Sequence, residues 1–308
     1  MDDGDDTDAR RPPASLNPNT PPMLPKLEAG RDVSFYIDKK DGNELACTMI
    51  RAAGPKDRSS MIRVDKGGFV VDTSKPVIIV THGNQSWRNQ MLIGALSMKL
   101  SDEMDCHTIR FDFTGNGHSN GPWKYANIVG EGTDLQEVVR YVREEMKCKV
   151  LCVFGHSKGS HAVLQLAVKE EERTTSDRIG YFVISAARYR HAGVVAAEES
   201  LTPAQEEELN REGKVTLRHP MGQDFLITLD DWKECRDLDS TFCSKAKRGK
   251  FLVLHGNKDQ AVPWEDANLY KDMLPNNKTV IIDGADHNFS GLRFMGKIVG
   301  LVQELVKS

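Results

Sequence analysis

The segment that most restricts how this chain can fold is a G-x-S-x-G sequence, Gly155 to Gly159 (GHSKG). It lies between an apolar run, Val150 to Phe154, and a run with helical spacing, His161 to Val168. A serine on a sharp strand-to-helix turn projects its hydroxyl above the edge of a sheet, and flanking glycines avoid the clashes of larger side chains. The amides that begin the following helix favour developing negative charge. This context predicts that Ser157 is a nucleophile.

A serine hydroxyl needs a base to take its proton and a third group to hold that base. After a turn of this kind the expected chain order is Ser, then Asp or Glu, then His. Asp259 follows the apolar run Lys250 to His255, and His287 follows the β-rich run Thr279 to Ile282. Both therefore lie just beyond strand ends, on the side that carries Ser157. The sequence predicts that Asp259 orients His287 and that His287 activates Ser157.

Two alternatives concern the acid. Asp259 could be an ordinary turn residue, since aspartates favour loops. Asp286 lies directly beside His287 and could be taken for the orienting group. Adjacent residues in an extended segment point in opposite directions, which disfavours Asp286. The joint order and placement of the three residues favour Asp259.

Acyl transfer also requires hydrogen-bond donors for the tetrahedral oxyanion. One donor should be the amide after the nucleophile, that of Lys158, and the other should come from the loop after the third strand of the sheet. Lys75 to Thr81 reads as that strand, and the sequence HGNQ follows it. We predict that the second donor is the amide of Asn84, with Gln85 as the alternative.

At this point the motifs resemble those of the α/β-hydrolases, in the group that includes monoglyceride lipases, cinnamoyl or feruloyl esterases and serine-aminopeptidase-like hydrolases. The resemblance runs from about Arg31 to the C-terminus. It rests on five motifs in the family order: HGN at His82, RFDFTGNGHSNG at Arg110, GHSKG at Gly155, HGNKDQAVP at His255 and GADHNF at Gly284. It implies the nucleophile, acid and base already predicted, and oxyanion amides at Asn84 and Lys158.

The same resemblance implies the α/β-hydrolase fold, a mostly parallel central sheet with helices on both faces and an inserted helix-plus-hairpin lid. The residues agree, because apolar strands alternate with helical patterns in the manner of βαβ units. The sequence departs from the family at Lys158, where lipases often carry Gln or Met. An oxyanion donor is a backbone amide, so this side chain matters chiefly as a cation that could bias the choice of substrate.

The alternation breaks in residues 187–248, which are polar and irregular. They contain a charged helical stretch and two strand-like pieces, Lys214 to Arg218 and Asp224 to Leu229, that predict a hairpin. Hydrolases of this family carry their lid at this point. The alternative is a solvated surface excursion, but the hairpin region is too apolar for that. We expect a lid whose Phe225 and Trp232 contact the substrate.

Composition limits the remaining possibilities. Residues 1–28 are acidic and then Pro-rich, which predicts a disordered tail before a single domain at 29–308. A net charge of -4 gives no reason to expect nucleic acid as a partner. The sequence has neither an apolar run of the roughly 18 to 20 residues that a membrane helix requires nor an N-terminal secretory signal. Six cysteines without a zinc pattern favour a reducing, cytoplasmic location.

The sequence thus predicts a serine hydrolase that cleaves a small-molecule carboxylic ester through an acyl-enzyme intermediate, without a metal or an organic cofactor. Thioesters and amides suit the same machinery, so a thioesterase or an amidase is the alternative enzyme. Some proteins of this fold are non-catalytic ligand-binding proteins, and these usually lack one member of the triad.

Overall fold

A computed structural model describes residues 31–53, 58–125, 127–191, 201–218 and 224–308, so the predicted tail lies outside the described residues. The strands are β1 (Asp32–Asp38), β2 (Glu44–Ile50), β3 (Met61–Val64), β4 (Phe69–Asp72), β5 (Val77–Thr81), β6 (His107–Phe111), β7 (Val150–His156), β8 (Tyr181–Ser185), β9 (Lys214–Arg218), β10 (Asp224–Thr228), β11 (Lys250–Gly256) and β12 (Asn277–Ile282). The helices are α1 (Met91–Met104), α2 (Ile128–Glu144), α3 (Gly159–Glu170), α4 (Pro203–Glu212), α5 (Leu229–Arg236), α6 (Asp266–Met273) and α7 (Leu292–Lys307).

The central sheet of the described residues has eight strands in the order β1-β2-β6-β5-β7-β8-β11-β12. Strand β2 runs antiparallel to both of its neighbours, β1 and β6, and the six strands in the order β6-β5-β7-β8-β11-β12 pair in parallel. The two strands at the centre of the eight-stranded sheet, β5 and β7, are buried along almost their whole length. Burial on both faces explains why they read as continuous apolar runs in the sequence. The predicted mostly parallel sheet is confirmed.

Helices cover the two faces of this sheet. Residues of α2, α3 and α6 join one buried cluster, and residues of α1 and α7 join the other. No helix within the described residues is both long and apolar enough to cross a bilayer.

The strand order places a crevice at one point of the sheet edge. From β5 the chain moves outward to β6, and it then returns to β7 on the opposite side of β5. Loops that leave two neighbouring parallel strands in opposite directions open a crevice at their carboxyl ends, where ligands of open α/β sheets bind. The loop after β5 begins at His82, and the turn after β7 holds Ser157. The topology therefore brings two of the predicted motifs together.

Between β8 and β11 lies an insertion that consists of α4, the antiparallel hairpin β9–β10 and α5. Helix α4 begins with a capping box between Thr202 and Gln205 and ends at Gly213, whose φ of 73° suits a glycine. Leu209, Val215 and Ile227 form the centre of a small apolar cluster of its own. The predicted helix and hairpin are present, whereas the turn at 219–223 falls outside the described residues.

Candidate active site

The turn after β7 has the strained geometry predicted for a nucleophile. Ser157 has a φ of 52°, in the left-handed region, and its amide donates to the carbonyl of Ser185 at 2.8 Å. A Cβ at Gly155 would lie 2.7 Å from the backbone of α3, and one at Gly159 would lie 2.3 Å from the carbonyl oxygen of His82. Such distances exclude side chains at both positions. The two glycines of the motif are thus required by close backbone approach.

The three residues predicted to act together lie in one hydrogen-bonded line. The Nε2 atom of His287 is 3.1 Å from the hydroxyl of Ser157, and its Nδ1 atom is 2.8 Å from Oδ2 of Asp259. In a neutral imidazole, Nδ1–H donates to the carboxylate, and Nε2 is left to accept the serine proton. The side chain of Asp259 is fully buried, whereas that of His287 is 20% exposed. The arrangement can move a proton from the serine to the histidine.

Four hydrogen bonds hold the carboxylate of Asp259. Its Oδ1 atom accepts from the amides of Ala261 and Val262, both at 2.8 Å, and its Oδ2 atom accepts from His287 and from Nε2 of His255 at 3.0 Å. Burial by itself would raise the pKa of Asp259, but these bonds outweigh it and hold that pKa well below its usual range. The carboxylate is therefore ionised and fixed at neutral pH.

Sequence reasoning missed His255, which ends the apolar run of β11. Its ring is buried and also lies 3.3 Å from the carbonyl of Val262. A polar residue at the carboxyl end of a buried strand, four residues before the acid, is the signal that could have found it.

Asp286 is engaged elsewhere. Its Oδ1 atom accepts from the amide of Ser290 at 2.8 Å and so closes the turn that follows His287. Among the described residues no hydrogen bond joins Asp286 to the ring of His287.

The two predicted oxyanion donors lie beside the nucleophile. Asn84 and Lys158 line the same pocket as Ser157 and His287. The amide of Lys158 has no acceptor among the described residues. A Cβ at Gly83 would lie 2.8 Å from the Cβ of Ser157, which shows how closely the loop after β5 approaches the serine.

Comparison with known proteins bears on the fold. No protein-family model matches the sequence, and no curated protein matches it significantly. Among solved structures, that of ferulic acid bound to Est1E from Butyrivibrio proteoclasticus shares 19% identity at a TM-score of 0.67 and covers 89% of this chain and 100% of that one. Alpha/beta hydrolase domain-containing protein 10 from mouse shares 17% identity at a TM-score of 0.63, and the match covers 89% of this chain and 98% of that one. The esterase domain of a Rhodothermus marinus protein shares 18% identity at a TM-score of 0.59, and the match covers 90% of this chain and 98% of that one.

The chain has the α/β-hydrolase fold.

The motif that begins at Arg110 fixes the loop after β5 in this hydrolase fold. His82 donates through Nδ1 to the carbonyl of Gly83 at 2.8 Å and accepts through Nε2 from the amide of Phe113 at 3.1 Å. Burial lowers the pKa of His82 to about 4, so its ring is neutral. At the other end of the loop, the backbone amide and the guanidinium of Arg88 both donate to Asp112. The loop that carries Asn84 is therefore held at both ends.

The cation that follows the nucleophile is paired inside the protein. The Nζ atom of Lys158 lies 2.8 Å from Oε1 of Glu131 and 3.3 Å from the carbonyl oxygen of Tyr125. Burial raises the pKa of Glu131 to about 7, although Lys158 opposes that shift. Sequence reasoning noted the unusual lysine but not its partner, since nothing local connects α2 with the turn after β7.

The pocket in front of Ser157 is small, with a cavity volume of about 70 Å³. Its apolar lining comes from Tyr125, Ile128, Ala261 and Val262, and its polar lining includes His161, Arg188 and His191.

The insertion reaches this pocket through Cys235 of α5. Trp232 is not among the described lining residues. Its ring packs 6.1 Å from that of Tyr125, which does line the pocket. The side chain of Phe225 lies outside the described residues. Contact of Phe225 and Trp232 with substrate stays a prediction.

Proposed function

We propose that the chain is a serine-dependent carboxylic-ester hydrolase that works through an acyl-enzyme intermediate. The observation that carries this proposal is the line from Ser157 through His287 to Asp259, with separations of 3.1 and 2.8 Å at an open pocket. The names of two structural neighbours, an esterase domain and a protein with ferulic acid bound, agree with a small ester as substrate.

In the first step the hydroxyl oxygen of Ser157 attacks the acyl carbon while Nε2 of His287 takes its proton. The ionised Asp259 stabilises the imidazolium that forms and keeps its ring in the required orientation. The amides of Asn84 and Lys158 receive the oxyanion, a contribution that is usually the largest single part of the rate enhancement.

In the second step the tetrahedral intermediate collapses, and the bond to the alcohol breaks as His287 returns the proton to the leaving oxygen. A water molecule then repeats the sequence on the acyl-enzyme, with His287 again as the base. The products are the acid and the free serine. Apart from the ester and the water, this cycle uses only groups of the chain itself.

We assign the lid role to the insertion formed by α4, β9, β10 and α5. Cys235 of α5 lines the pocket, and Tyr125 joins the pocket wall to the apolar cluster of the insertion. These two features support a contact between the insertion and the part of the substrate that lies beyond the reacting carbonyl. We also propose one domain at 29–308 and a cytoplasmic location, which is supported by the absence of disulfides among the described cysteines.

The test is the Ser157→Ala variant, assayed with a p-nitrophenyl ester and with a fluorophosphonate probe. Loss of the nucleophile should lower kcat by a factor on the order of 10⁶ and abolish labelling. The matched control is Ser176→Ala, which changes an exposed serine away from the pocket and should leave both readouts unchanged. Equal ester turnover by parent and Ser157→Ala would refute the mechanism.

The same assay should include a thioester and an anilide with the same acyl group. Faster cleavage of either than of the ester would make the chain a thioesterase or an amidase. No labelling of the parent would favour a non-catalytic ligand-binding protein.

A further inference from the structure

The first turn of α2 is capped by a side chain of the insertion. Glu234 lies on α5, and its Oε1 atom accepts hydrogen bonds from the backbone amides of Ile128 at 3.1 Å and Val129 at 3.4 Å. These amides begin α2 and have no carbonyl partner within the helix. Asn127, the residue before the helix, makes no capping hydrogen bond with its side chain. The cap therefore comes from a residue 106 positions after Ile128.

This contact joins a charge to two aligned donors. The amino end of a helix carries partial positive charge, so it attracts a carboxylate more strongly than a neutral acceptor. Glu234 is exposed to solvent, and the attraction should weaken as dissolved salt screens it. The contact thus has an electrostatic component that a solution experiment can measure.

The first turn of α2 is itself fixed to the catalytic side of the pocket. The side-chain amide of Gln165, on α3, donates to the carbonyl of Ile128 at 2.8 Å. In the same turn of α2, Oε1 of Glu131 lies 2.8 Å from Nζ of Lys158, the residue after the nucleophile. Because these contacts hold α2 in place, loss of the contact with Glu234 should displace α5 rather than α2.

Glu234 connects two walls of the pocket. Cys235 follows it on α5 and lines the pocket, as does Ile128, whose amide it binds. The apolar packing of the insertion around Ile227 is non-directional and tolerates sliding, whereas two hydrogen bonds to one carboxylate fix the position of α5. The cavity is only about 70 Å³, so the spacing of its walls limits the size of the group that fits between them.

We propose that Glu234 is a positioning residue that sets the distance between α5 and α2 and so restricts the pocket to small groups of the ester. The carboxylate does not touch the reacting atoms and acts through Ile128 and Cys235. This inference rests on the proposed function and names the residue through which the insertion selects among esters.

The experiment compares the parent with Glu234→Ala on two series of esters, one that grows in the acyl part and one that grows in the alcohol part. For the bulkier esters of the series that lies between the two walls, kcat/KM relative to the smallest ester should rise by roughly 3- to 10-fold, the scale of a lost helix cap. The smallest ester of each series should be unchanged, because it does not span the walls.

Two further variants separate the charge from the hydrogen bond. Glu234→Gln keeps one acceptor oxygen but loses the charge, so its change in size preference should be intermediate. The matched control is Glu208→Gln, which removes the same charge from an exposed residue of α4 in the same insertion. Its ester ranking should equal that of the parent.

Salt dependence is a readout that a merely structural role of Glu234 would not move. In the parent, the preference for small esters should weaken by about 2-fold between about 20 mM and about 500 mM sodium chloride, since the contact is screened. In Glu234→Ala the preference should not depend on salt. Hydrogen exchange at the amides of Ile128 and Val129 should be faster in Glu234→Ala, because their acceptor is gone.

An unchanged size preference of Glu234→Ala in both series would overturn the proposal, as would a salt dependence that persists in this variant. A uniform loss across every ester, the smallest included, would also overturn it. Failure of the proposed function is a separate outcome, in which the parent hydrolyses none of the esters. Calorimetry with the corresponding acids and alcohols then tests the same contact. Tighter binding of a bulky compound by Glu234→Ala than by the parent would support the proposal, and equal binding would refute it.

Discussion

The side chains on the two sides of the pocket are anchored to different parts of the fold. On one side, Ser157, Asp259 and His287 each follow a strand of the central sheet and are held by hydrogen bonds to other strand-end groups. On the other side, the insertion packs around its own apolar cluster and contributes Cys235 to the pocket, while Tyr125 connects the two regions.

We infer from this contrast that the residues that carry out the reaction and the residues that select the substrate are supported by separate parts of the fold. A displacement of about 1 Å can cost 100-fold in rate, so groups that transfer protons require the rigid sheet edge. Groups that contact only the rest of a substrate can be carried by a part of the fold other than the sheet edge. We therefore expect changes on the sheet side to slow every ester alike, and changes in the insertion to reorder esters without affecting the smallest ones.

After loss of the nucleophile itself, the largest effect should come from the acid. Asp259→Asn keeps the shape but replaces one acceptor oxygen by a donor, so His287 loses the partner that fixes its tautomer. On the scale of the neutralised aspartate in a serine protease, kcat should fall by a factor on the order of 10⁴ for all esters. Steady-state kinetics with short and long acyl chains will show whether the loss is uniform.

The matched control is Asp286→Asn, next to the base. This carboxylate accepts from Ser290 within its own turn, so the loss should be far smaller. A loss equal to that of Asp259→Asn would move the acid role to Asp286. If Asp259→Asn lowered kcat only for esters with long acyl chains, the sheet side of the pocket would also select the substrate, and the two roles would not be separate.

A second, smaller effect should come from the buried pair that holds the loop after β5. Asp112→Asn leaves the guanidinium of Arg88 without its countercharge and loosens the loop that carries Asn84. We expect kcat to fall by roughly 10- to 100-fold, with little change in KM. Affinity for a boronic acid, which mimics the tetrahedral intermediate, should fall with kcat.

The control for Asp112 is another buried ion pair, away from the pocket. Glu170 receives two hydrogen bonds from Arg143 at the far end of α3. Glu170→Gln should also lower the free energy of unfolding, since the partly buried Arg143 loses one of its two carboxylate partners. If it lowers kcat as much as Asp112→Asn does, the effect at Asp112 reflects stability rather than the position of the loop.

How much the sequence could predict depended on whether the signal was local. Ser157 was predictable because its turn requires two glycines beside it, and Asp259 because it follows a buried strand. Glu131 was not, because its partner Lys158 is distant in the chain and only the packing of α2 against α3 joins them.

The insertion shows the same limit. Its helix and hairpin were predictable from periodicity and turn residues, and they are present as α4, β9 and β10. Which of its side chains reach the pocket depends on tertiary packing, and there the described structure contributes Cys235. The short hairpin formed by β3 and β4 was not predicted, since four-residue strands carry little periodicity.

Replacement of Trp232 tests the insertion side directly. Its ring packs against that of Tyr125, so Trp232→Ala removes support from a residue of the pocket wall. We expect relative kcat/KM values across an acyl-length panel to change by about ten-fold or more, while acetate esters and probe labelling are unaffected. Phe225→Ala should act in the same direction if its side chain also faces the substrate.

Leu226→Ala is the control within the same insertion, because Leu226 lies on β10 and is 51% exposed. It should leave the order of the esters unchanged. A uniform loss in Trp232→Ala across every ester would instead assign the insertion a role in folding, and no change at all would separate it from the pocket.

The smallest effect should come from deletion of the N-terminal segment, which we expect to contribute to neither the sheet side nor the insertion side of the pocket. Deletion of Met1 to Pro25 removes acidic and Pro-rich residues that offer no apolar face to pack against the domain. Changes of that kind fall within about 0.5 kcal/mol, so Tm should move by about 2 °C or less, with the ester ranking preserved. Scanning calorimetry and the ester panel measure both. A drop of several degrees would mean that the segment packs on the sheet side, whereas an altered ranking at constant Tm would place it at the pocket beside the insertion.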